Sequence, residues 1–267
     1  MTPTHTDLET RRIAALRRHV IGQALADLEA RAGEVELNEA VVLVCAYEEE
    51  GAIGDVLAKI PDTACGRPLT TLVVVDGGED RTAEIAEKSG ATTIVFPVNL
   101  GHGVALKVGY QFCIDHGAKW IVTIDADGQN DPEEIPVMLQ PLIDDETDFV
   151  VASRRLGTDN TTDRFRKTGV IFFSTMMNKM TGAHLTDTSN GYRALRVSML
   201  ADVVDRLEQE QYQTAELLIT CLKRGWRVTE RPTVWYPRQA GTTKKGSNWL
   251  FGVRYLNVVL RTWLRER

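Results

Sequence analysis

The stretch Ile121-Val122-Thr123-Ile124-Asp125-Ala126-Asp127-Gly128-Gln129 constrains the fold of this chain more than any other. A run rich in β-branched residues and closed by Asp and Gly reads as a buried strand. Side chains alternate between faces along a strand, so Asp125 and Asp127 project the same way if the extended conformation continues past the apolar run. Open α/β sheets collect their ligands at the carboxyl ends of their strands. Two hard oxygen donors at such an end suit Mg²⁺ or Mn²⁺, held by one or two carboxylates while substrate phosphate and water complete the shell. The competing reading makes the pair a helix cap, but Asp131-Pro132-Glu133-Glu134 already supplies the N-cap, the first-position proline and the acidic first turn. An EF-hand loop is excluded because Asn130 and Pro136 stand where it needs Gly and a bidentate Glu.

Similar apolar runs occur on either side. Ala40-Val41-Val42-Leu43-Val44-Cys45-Ala46 has the continuous apolar character of a central parallel strand. Thr71-Leu72-Val73-Val74-Val75 is a second, ending in Asp76-Gly77-Gly78, and Thr92-Thr93-Ile94-Val95-Phe96 is a third. Helices are expected over about 53–60, up to about 89, and 107–116, so strands and helices alternate. That order predicts a mostly parallel central sheet with right-handed crossovers, flanked by helices. Glu49, Asp76, Asp125 and Asp127 each follow a strand and converge on one edge. Gly101-His102-Gly103 imitates a dinucleotide fingerprint, but Leu106 replaces its third glycine and the loop lies outside the first βα unit, so a glycine-rich turn is the plainer reading.

Asp148-Phe149-Val150-Val151-Ala152-Ser153-Arg154-Arg155 is a further strand ending in a basic pair. A cation such as Arg154 beside a diphosphate can neutralise a leaving group; elsewhere it is a solvated charge. A polar loop at 157–163 reads as a lid. It precedes the basic cluster Arg164, Arg166 and Lys167 and an apolar helix over 170–180. Residues 187–193 read as a turn. Helices over 199–207 and 214–223 and a strand over 227–236 follow. The tail carries Arg238, Lys244 and Lys245, then a helix over 249–264 with Trp249, Val253, Leu256, Leu260 and Trp263 on one stripe and Arg254, Arg261 and Arg265 on another. Such a helix suits a membrane interface or the protein's own core. Over 8–31 the apolar residues recur at helical spacing. The chain therefore divides into an amphipathic helical extension (1–38), a main α/β domain (39–246) and a basic amphipathic helix (247–267).

Of 267 residues, 43% are hydrophobic and 25% charged, which is ordinary for a globular protein. The net charge of −6 argues against a general nucleic-acid binder. Cys45, Cys65, Cys113 and Cys221 lack paired spacing and read as reduced thiols, and the histidines show no zinc pattern. With neither a spanning apolar run nor a signal segment, the expected location is cytoplasmic, with peripheral contact at the inner membrane face through the C-terminal helix.

Taken in order, these motifs resemble glycosyltransferase family 2, and within it the polyprenyl-phosphate sugar synthases typified by dolichyl-phosphate mannose synthase. The resemblance runs from Val41 to about Arg267. The family's P-x-Y-x-E is matched by Cys45-Ala46-Tyr47-Glu48-Glu49 with the proline replaced. Its V-V-D-D-G-S-x-D-x-T is matched, one residue shorter, by Val74-Val75-Asp76-Gly77-Gly78-Glu79-Asp80-Arg81-Thr82. N-x-G-x-G-x-A is intact from Asn99 to Ala105, and D-A-D-x-Q from Asp125 to Gln129. Ser153-Arg154 matches the S-R after the next strand, and Asn190-Gly191-Tyr192-Arg193-Ala194 resembles S-G-F-R-A.

The resemblance implies a GT-A nucleotide-sugar fold. Tyr47, Glu49 and Asp76 would hold the nucleotide, while Asp125, Asp127 and Gln129 would bind the metal and diphosphate. The shortened Asp76 turn leaves open whether the donor is a GDP- or a UDP-sugar. The expected reaction is inverting transfer of a sugar such as mannose or glucose to a polyprenyl phosphate, with Asp127 and Arg154 as catalytic groups. A phosphate monoester has its second pKa near ~6 and arrives as an anion, so it needs cationic positioning rather than a base. Arg164, Arg166 and Lys167, joined by Arg238 or Lys244, are the candidates. A hydroxyl acceptor would need a carboxylate base, for which Asp187 and Glu216 are the candidates. A small-molecule hydroxyl acceptor is thus one alternative, and a nucleotide-sugar-binding module or nucleotidyltransferase is another.

Overall fold

The computed structural model describes residues 5–162, 164–238 and 248–267, without the side chains of residues 5–11, 164–166 and 248–251. In chain order, α1 (His5–Ala32) leads to β1 (Ala40–Ala46), α2 (Ile53–Lys59), β2 (Thr63–Ala64), β3 (Arg67–Val75), α3 (Thr82–Lys88), β4 (Thr92–Val95), α4 (His102–Asp115) and β5 (Trp120–Asp125). Then come α5 (Ile135–Ile143), β6 (Phe149–Asp159), α6 (Arg164–Thr181), β7 (Arg193–Arg196), α7 (Val197–Val203), α8 (Gln213–Lys223), β8 (Val228–Trp235) and α9 (Asn248–Arg265).

The sheet runs β4-β3-β1-β5-β7-β6-β8, with β2 folded back on the start of β3. The β1–β3, β1–β5, β3–β4 and β6–β8 pairs are parallel, whereas β7 lies antiparallel between β5 and β6. The sequence reading ends a turn at Arg193 and assigns no element to the rest of β7. Its four residues, Arg-Ala-Leu-Arg, are too short and too polar at both ends to show a strand period.

Alternation along the strands divides the core into two layers. Val42 and Val44 of β1 join Val73, Val75, Val122, Ile124, Val150 and the buried residues of α2, α3 and α5 on one face. Val41, Leu43 and Cys45 join Leu72, Val74, Ile121 and Phe149 on the other, under α4, α7 and α8. At Gly109 of α4 a Cβ would stand 2.5 Å from Leu43 Cδ1, so the helix reaches the sheet only because it has no side chain there. Ala24 and Leu28 of α1, and Tyr255, Val258 and Val259 of α9, enter this second core. Both terminal helices therefore pack on the domain.

The outer side of α9 leaves Val253, Leu260 and Leu264 exposed, and neighbouring α6 exposes Ile171 and Phe172. The two helices are joined by the Phe173 and Tyr255 rings, with centroids 4.7 Å apart, and by Trp263 Nε1 donating to the Met180 carbonyl at 2.8 Å. All four cysteines are free thiols, and three of them are buried. Among the described residues no helix is long and apolar enough to cross a membrane.

Candidate active site

Because β7 reverses direction between two strands of the other sense, the carboxyl ends of β1, β3, β5, β6 and β8 share one sheet edge with the residues just before β7. The loops at this edge are stitched together by short hydrogen bonds. Asp76 N–H donates to the Ala46 carbonyl at 2.8 Å, and Glu49 N–H donates to Thr82 Oγ1 at 2.8 Å. The Asp76 carboxylate accepts from the N–H groups of Leu100 (2.7 Å) and Gly101 (3.0 Å). It is 3% exposed, and burial pushes its pKa up to about 6 against the pull of those two donors. Asp76 thus holds the Asn99–Gly103 loop in place with both of its oxygens.

β5 ends at Asp125 and the chain turns at once over residues 126–128, with Gly128 at φ +72°. The extended geometry that would align Asp125 with Asp127 by alternation is therefore absent, and the turn sets their relation instead. Asp127 is 7% exposed, and its Oδ1 accepts from Gln129 N–H at 3.1 Å. Burial first, then the negative charge of Asp125, pushes its pKa up to about 6, with Arg238 and the Gln129 N–H opposing. The Gln129 side chain is tied to the segment after β8. Its Nε2 donates to the Tyr236 carbonyl at 3.2 Å, while its own carbonyl accepts from Tyr236 N–H at 2.9 Å.

Arg238 ties these pieces into one site. Its Nη1 donates to both oxygens of Glu49, at 2.7 and 3.0 Å, and its Nη2 donates to Asp127 Oδ2 at 2.8 Å. Although burial disfavours its charge, the two carboxylates hold its pKa above the usual arginine range. The acids at this edge therefore already select a cation. Beside Asp125, a Cβ on Gly191 would stand 3.2 Å from both carboxylate oxygens, so the glycine keeps open the space that an ion on Asp125 would need. Among the described residues no three His, Cys, Asp or Glu side chains form a metal cage. Two hard carboxylate donors, Asp125 with open space beside it and Asp127 now carrying Arg238 on Oδ2, fit Mg²⁺ or Mn²⁺ arriving with phosphate ligands of its own.

Arg154 is neither a solvated charge nor openly presented to the cleft. Its Nε and Nη2 donate to Asp187 Oδ2 and Oδ1 at 2.6 and 2.7 Å, and Nη2 also donates to Ser189 Oγ at 2.8 Å. The guanidinium lies 5.0 Å from the Trp235 ring centroid. Burial would raise the pKa of Asp187, yet Arg154 holds it below the usual carboxylate value. Glu230 sets this pair in place by accepting from the N–H groups of Thr186 (2.7 Å) and Asp187 (2.8 Å). Glu216 is also fully buried, bonded to the Glu208 and Gln209 N–H groups and to Arg265. Lys167 donates to the Asp159 carbonyl at 3.1 Å. Lys244, Lys245 and the side chains of Arg164, Arg166 and Trp249 lie outside the described residues.

The pattern described as "Glycosyl transferase family 2" matches residues 41–204, which runs from the second residue of β1 past the end of β7 and takes in Glu49, Asp76, Asp125, Asp127 and Asp187. The chain belongs to glycosyltransferase family 2. As a member of that family it is a glycosyltransferase, and its GT-A fold is the one the motifs imply. It is 35% identical over 211 residues to dolichyl-phosphate hexose transferase of Haloferax volcanii, covering 79% of this chain and 88% of that one. It is 28% identical to undecaprenyl-phosphate mannosyltransferase of Micrococcus luteus, over 70% of this chain and 79% of the relative. Among solved structures, glucosyl-3-phosphoglycerate synthase from Mycobacterium tuberculosis, in complex with Mn²⁺, UDP and glucosyl-3-phosphoglycerate, superposes with a TM-score of 0.67. The identity there is 20%, over 89% of this chain and 83% of that one.

Within this glycosyltransferase, sequence reasoning missed two relationships. Arg238 faces the D-x-D acids rather than an acceptor cluster, and Asp187 serves Arg154 rather than standing free. Neither has a local signal, since the partners lie far apart in sequence.

Proposed function

We propose that this glycosyltransferase moves a sugar from a GDP- or UDP-sugar to a polyprenyl phosphate with inversion, mannose or glucose being the sugars first to test. The observation that carries this choice of acceptor is the sealed Arg154–Asp187 pair, together with the equally buried Glu216. Both carboxylates that might serve as base for a hydroxyl acceptor are spent on arginines. A phosphate acceptor needs no base, because it is already an anion near neutral pH. The relatives named for dolichyl-phosphate hexose and undecaprenyl-phosphate mannose transfer support the same acceptor class.

In this reading Asp125 and Asp127 hold Mg²⁺ or Mn²⁺, which when bound supplies positive charge to the diphosphate leaving group. Tyr47 and Glu49, at the end of β1, line the nucleotide side, and Asp76 acts through the loop it anchors. Gln129 fixes the D-x-D turn against β8 rather than reaching the ion. Of the Arg154 guanidinium nitrogens only Nη1 lacks a hydrogen-bond partner among the described residues, and through that nitrogen Arg154 would meet the departing phosphate. Arg164, Arg166 and Lys167, at the start of α6, would receive the acceptor phosphate. The lipid acceptor lies in a membrane, and the exposed Ile171, Phe172, Leu260 and Leu264 of α6 and α9 form the face that would rest on it, on the cytoplasmic side.

The test is incubation with Mn²⁺, radiolabelled GDP- or UDP-sugar and a polyprenyl phosphate, followed by butanol extraction. Label appearing in the lipid phase only with both acceptor and ion supports the proposal. Label transferred solely to water-soluble products refutes the acceptor assignment.

A further inference from the structure

Two arginines at this sheet edge pair with acids, but in different ways. The Arg154 and Asp187 side chains are 7% and 0% exposed, so that pair is sealed. Arg238 is 24% exposed against 13% for Glu49 and 9% for Asp127, so solvent reaches the guanidinium and it has room to leave. Its bonds divide unequally. Nη1 is held by both oxygens of Glu49, whereas Nη2 rests on the single oxygen Asp127 Oδ2. The other Asp127 oxygen is occupied by the Gln129 N–H.

We propose that Arg238 and the divalent ion are alternative cations for Asp127, with Glu49 as the anchor on which Arg238 pivots. This inference rests on the glycosyltransferase reading of the D-x-D acids. An ion on Asp127 Oδ2 would stand against a guanidinium already hydrogen-bonded to that oxygen, and two cations repel strongly at such a separation. One must give way. The single Nη2 bond breaks while the Glu49 fork persists, and the freed Nη2 then needs an anionic acceptor. The diphosphate oxygens that accompany the ion are such an acceptor. Glu49 is accordingly a positioning residue for Arg238. The ion alone should bind weakly to this protein, and ion and nucleoside diphosphate should strengthen each other, since only together do they repartner both Asp127 and Arg238.

Mn²⁺ binding to the 267-residue chain, followed by electron paramagnetic resonance with and without UDP or GDP, tests this. Arg238→Gln removes the competing charge and should tighten Mn²⁺ binding in the absence of nucleotide by about tenfold, the order expected for losing one nearby like charge at a partly screened site. It should also shrink the mutual strengthening of Mn²⁺ and nucleotide. Arg238→Lys keeps a cation there and should stay near the parent protein. Asp127→Asn should weaken Mn²⁺ binding in both backgrounds. Unchanged or weaker Mn²⁺ binding in a folded Arg238→Gln protein overturns the exchange, and the lipid transfer assay would still stand. If Asp127→Asn leaves Mn²⁺ binding unaffected, the exchange fails together with the metal assignment.

Discussion

Arg154 and Asp187 meet in a two-pronged ion pair, 2.6 Å from Nε to Oδ2 and 2.7 Å from Nη2 to Oδ1, with almost no solvent access to either side chain. Removing one member of such a pair leaves a buried charge without its partner, which typically costs about 3–5 kcal/mol. Asp187→Ala and Arg154→Ala should each lower unfolding stability by that order in urea titrations. Arg154→Met combined with Asp187→Leu, which buries no charge, should recover most of the loss. A double variant no more stable than the singles would show that the pair contributes through its ties to Ser189 and Glu230 rather than through charge balance.

Asp76 gives a pH signature. Its carboxyl is pushed from the ordinary 3.8 up to about 6 by burial, so the folded state binds the proton more tightly than the unfolded chain does. The contribution of Asp76 is therefore most favourable below pH 4 and declines as pH rises through 6, by up to about 3 kcal/mol for a displacement of this size. Asp76→Asn cannot titrate, and its amide NH2 would set a donor against the Leu100 or Gly101 N–H, a mismatch that the protonated acid avoids by turning its O–H away. The variant should be the less stable protein near pH 4, with the gap narrowing toward pH 7. Thermal melts across that range measure the difference, and a gap that widens with pH would reverse the assignment.

The strand ends were legible because a buried parallel strand writes itself as a continuous apolar run, and the acid after each run falls at the ligand edge whatever the loop does next. That logic located Glu49, Asp76 and Asp125. It could not foresee the turn at residues 126–128, because Ala-Asp-Gly fits an extended strand tip and a turn equally well. The partners of Arg238 lie 189 and 111 residues away in sequence, and Asp187 reaches Arg154 only because β7 inserts antiparallel between β5 and β6. Local pattern carries no trace of such pairings. Tertiary closure alone determines whether a given arginine is sealed like Arg154 or open like Arg238.

Two glycines should respond to the same substitution with opposite signs. A Cβ on Gly103 would lie 2.1 Å from the Gln209 carbonyl oxygen, where Gly103 N–H donates to the Glu210 carbonyl at 2.8 Å and Gln213 Nε2 donates to the Gly103 carbonyl at 2.8 Å. Backbone must move to admit a methyl there, so Gly103→Ala should destabilise by about 1–3 kcal/mol and loosen the loop that Asp76 anchors. Gly22, inside α1, has nothing within 4 Å of its would-be Cβ. Gly22→Ala should stabilise the protein by up to about 1 kcal/mol through helix propensity and reduced freedom of the unfolded chain. Denaturant midpoints of the two variants, set against the parent, check both signs.

The face formed by α6 and α9 separates stability from membrane contact. Phe172 and Leu264 are each 58% exposed and Leu260 is 42% exposed, so these side chains contribute little to the core. Phe172→Ser with Leu260→Ser and Leu264→Ser should leave the melting temperature nearly unchanged. If the face enters a bilayer interface, each lost apolar side chain removes a partial burial out of the ~1.5–3 kcal/mol that full burial supplies, so binding to vesicles should fall by about tenfold or more. Arg254 and Arg261 lie exposed on the same helix and would act differently, because attraction to anionic headgroups is screened by salt. Arg254→Gln with Arg261→Gln should weaken binding to phosphatidylglycerol vesicles at low ionic strength and matter little at high salt. The apolar variant should be impaired at both. Co-sedimentation that is indifferent to the apolar triple variant, in a protein of unaltered melting temperature, would show that this face does not contact lipid and that the acceptor reaches the sheet edge by another route.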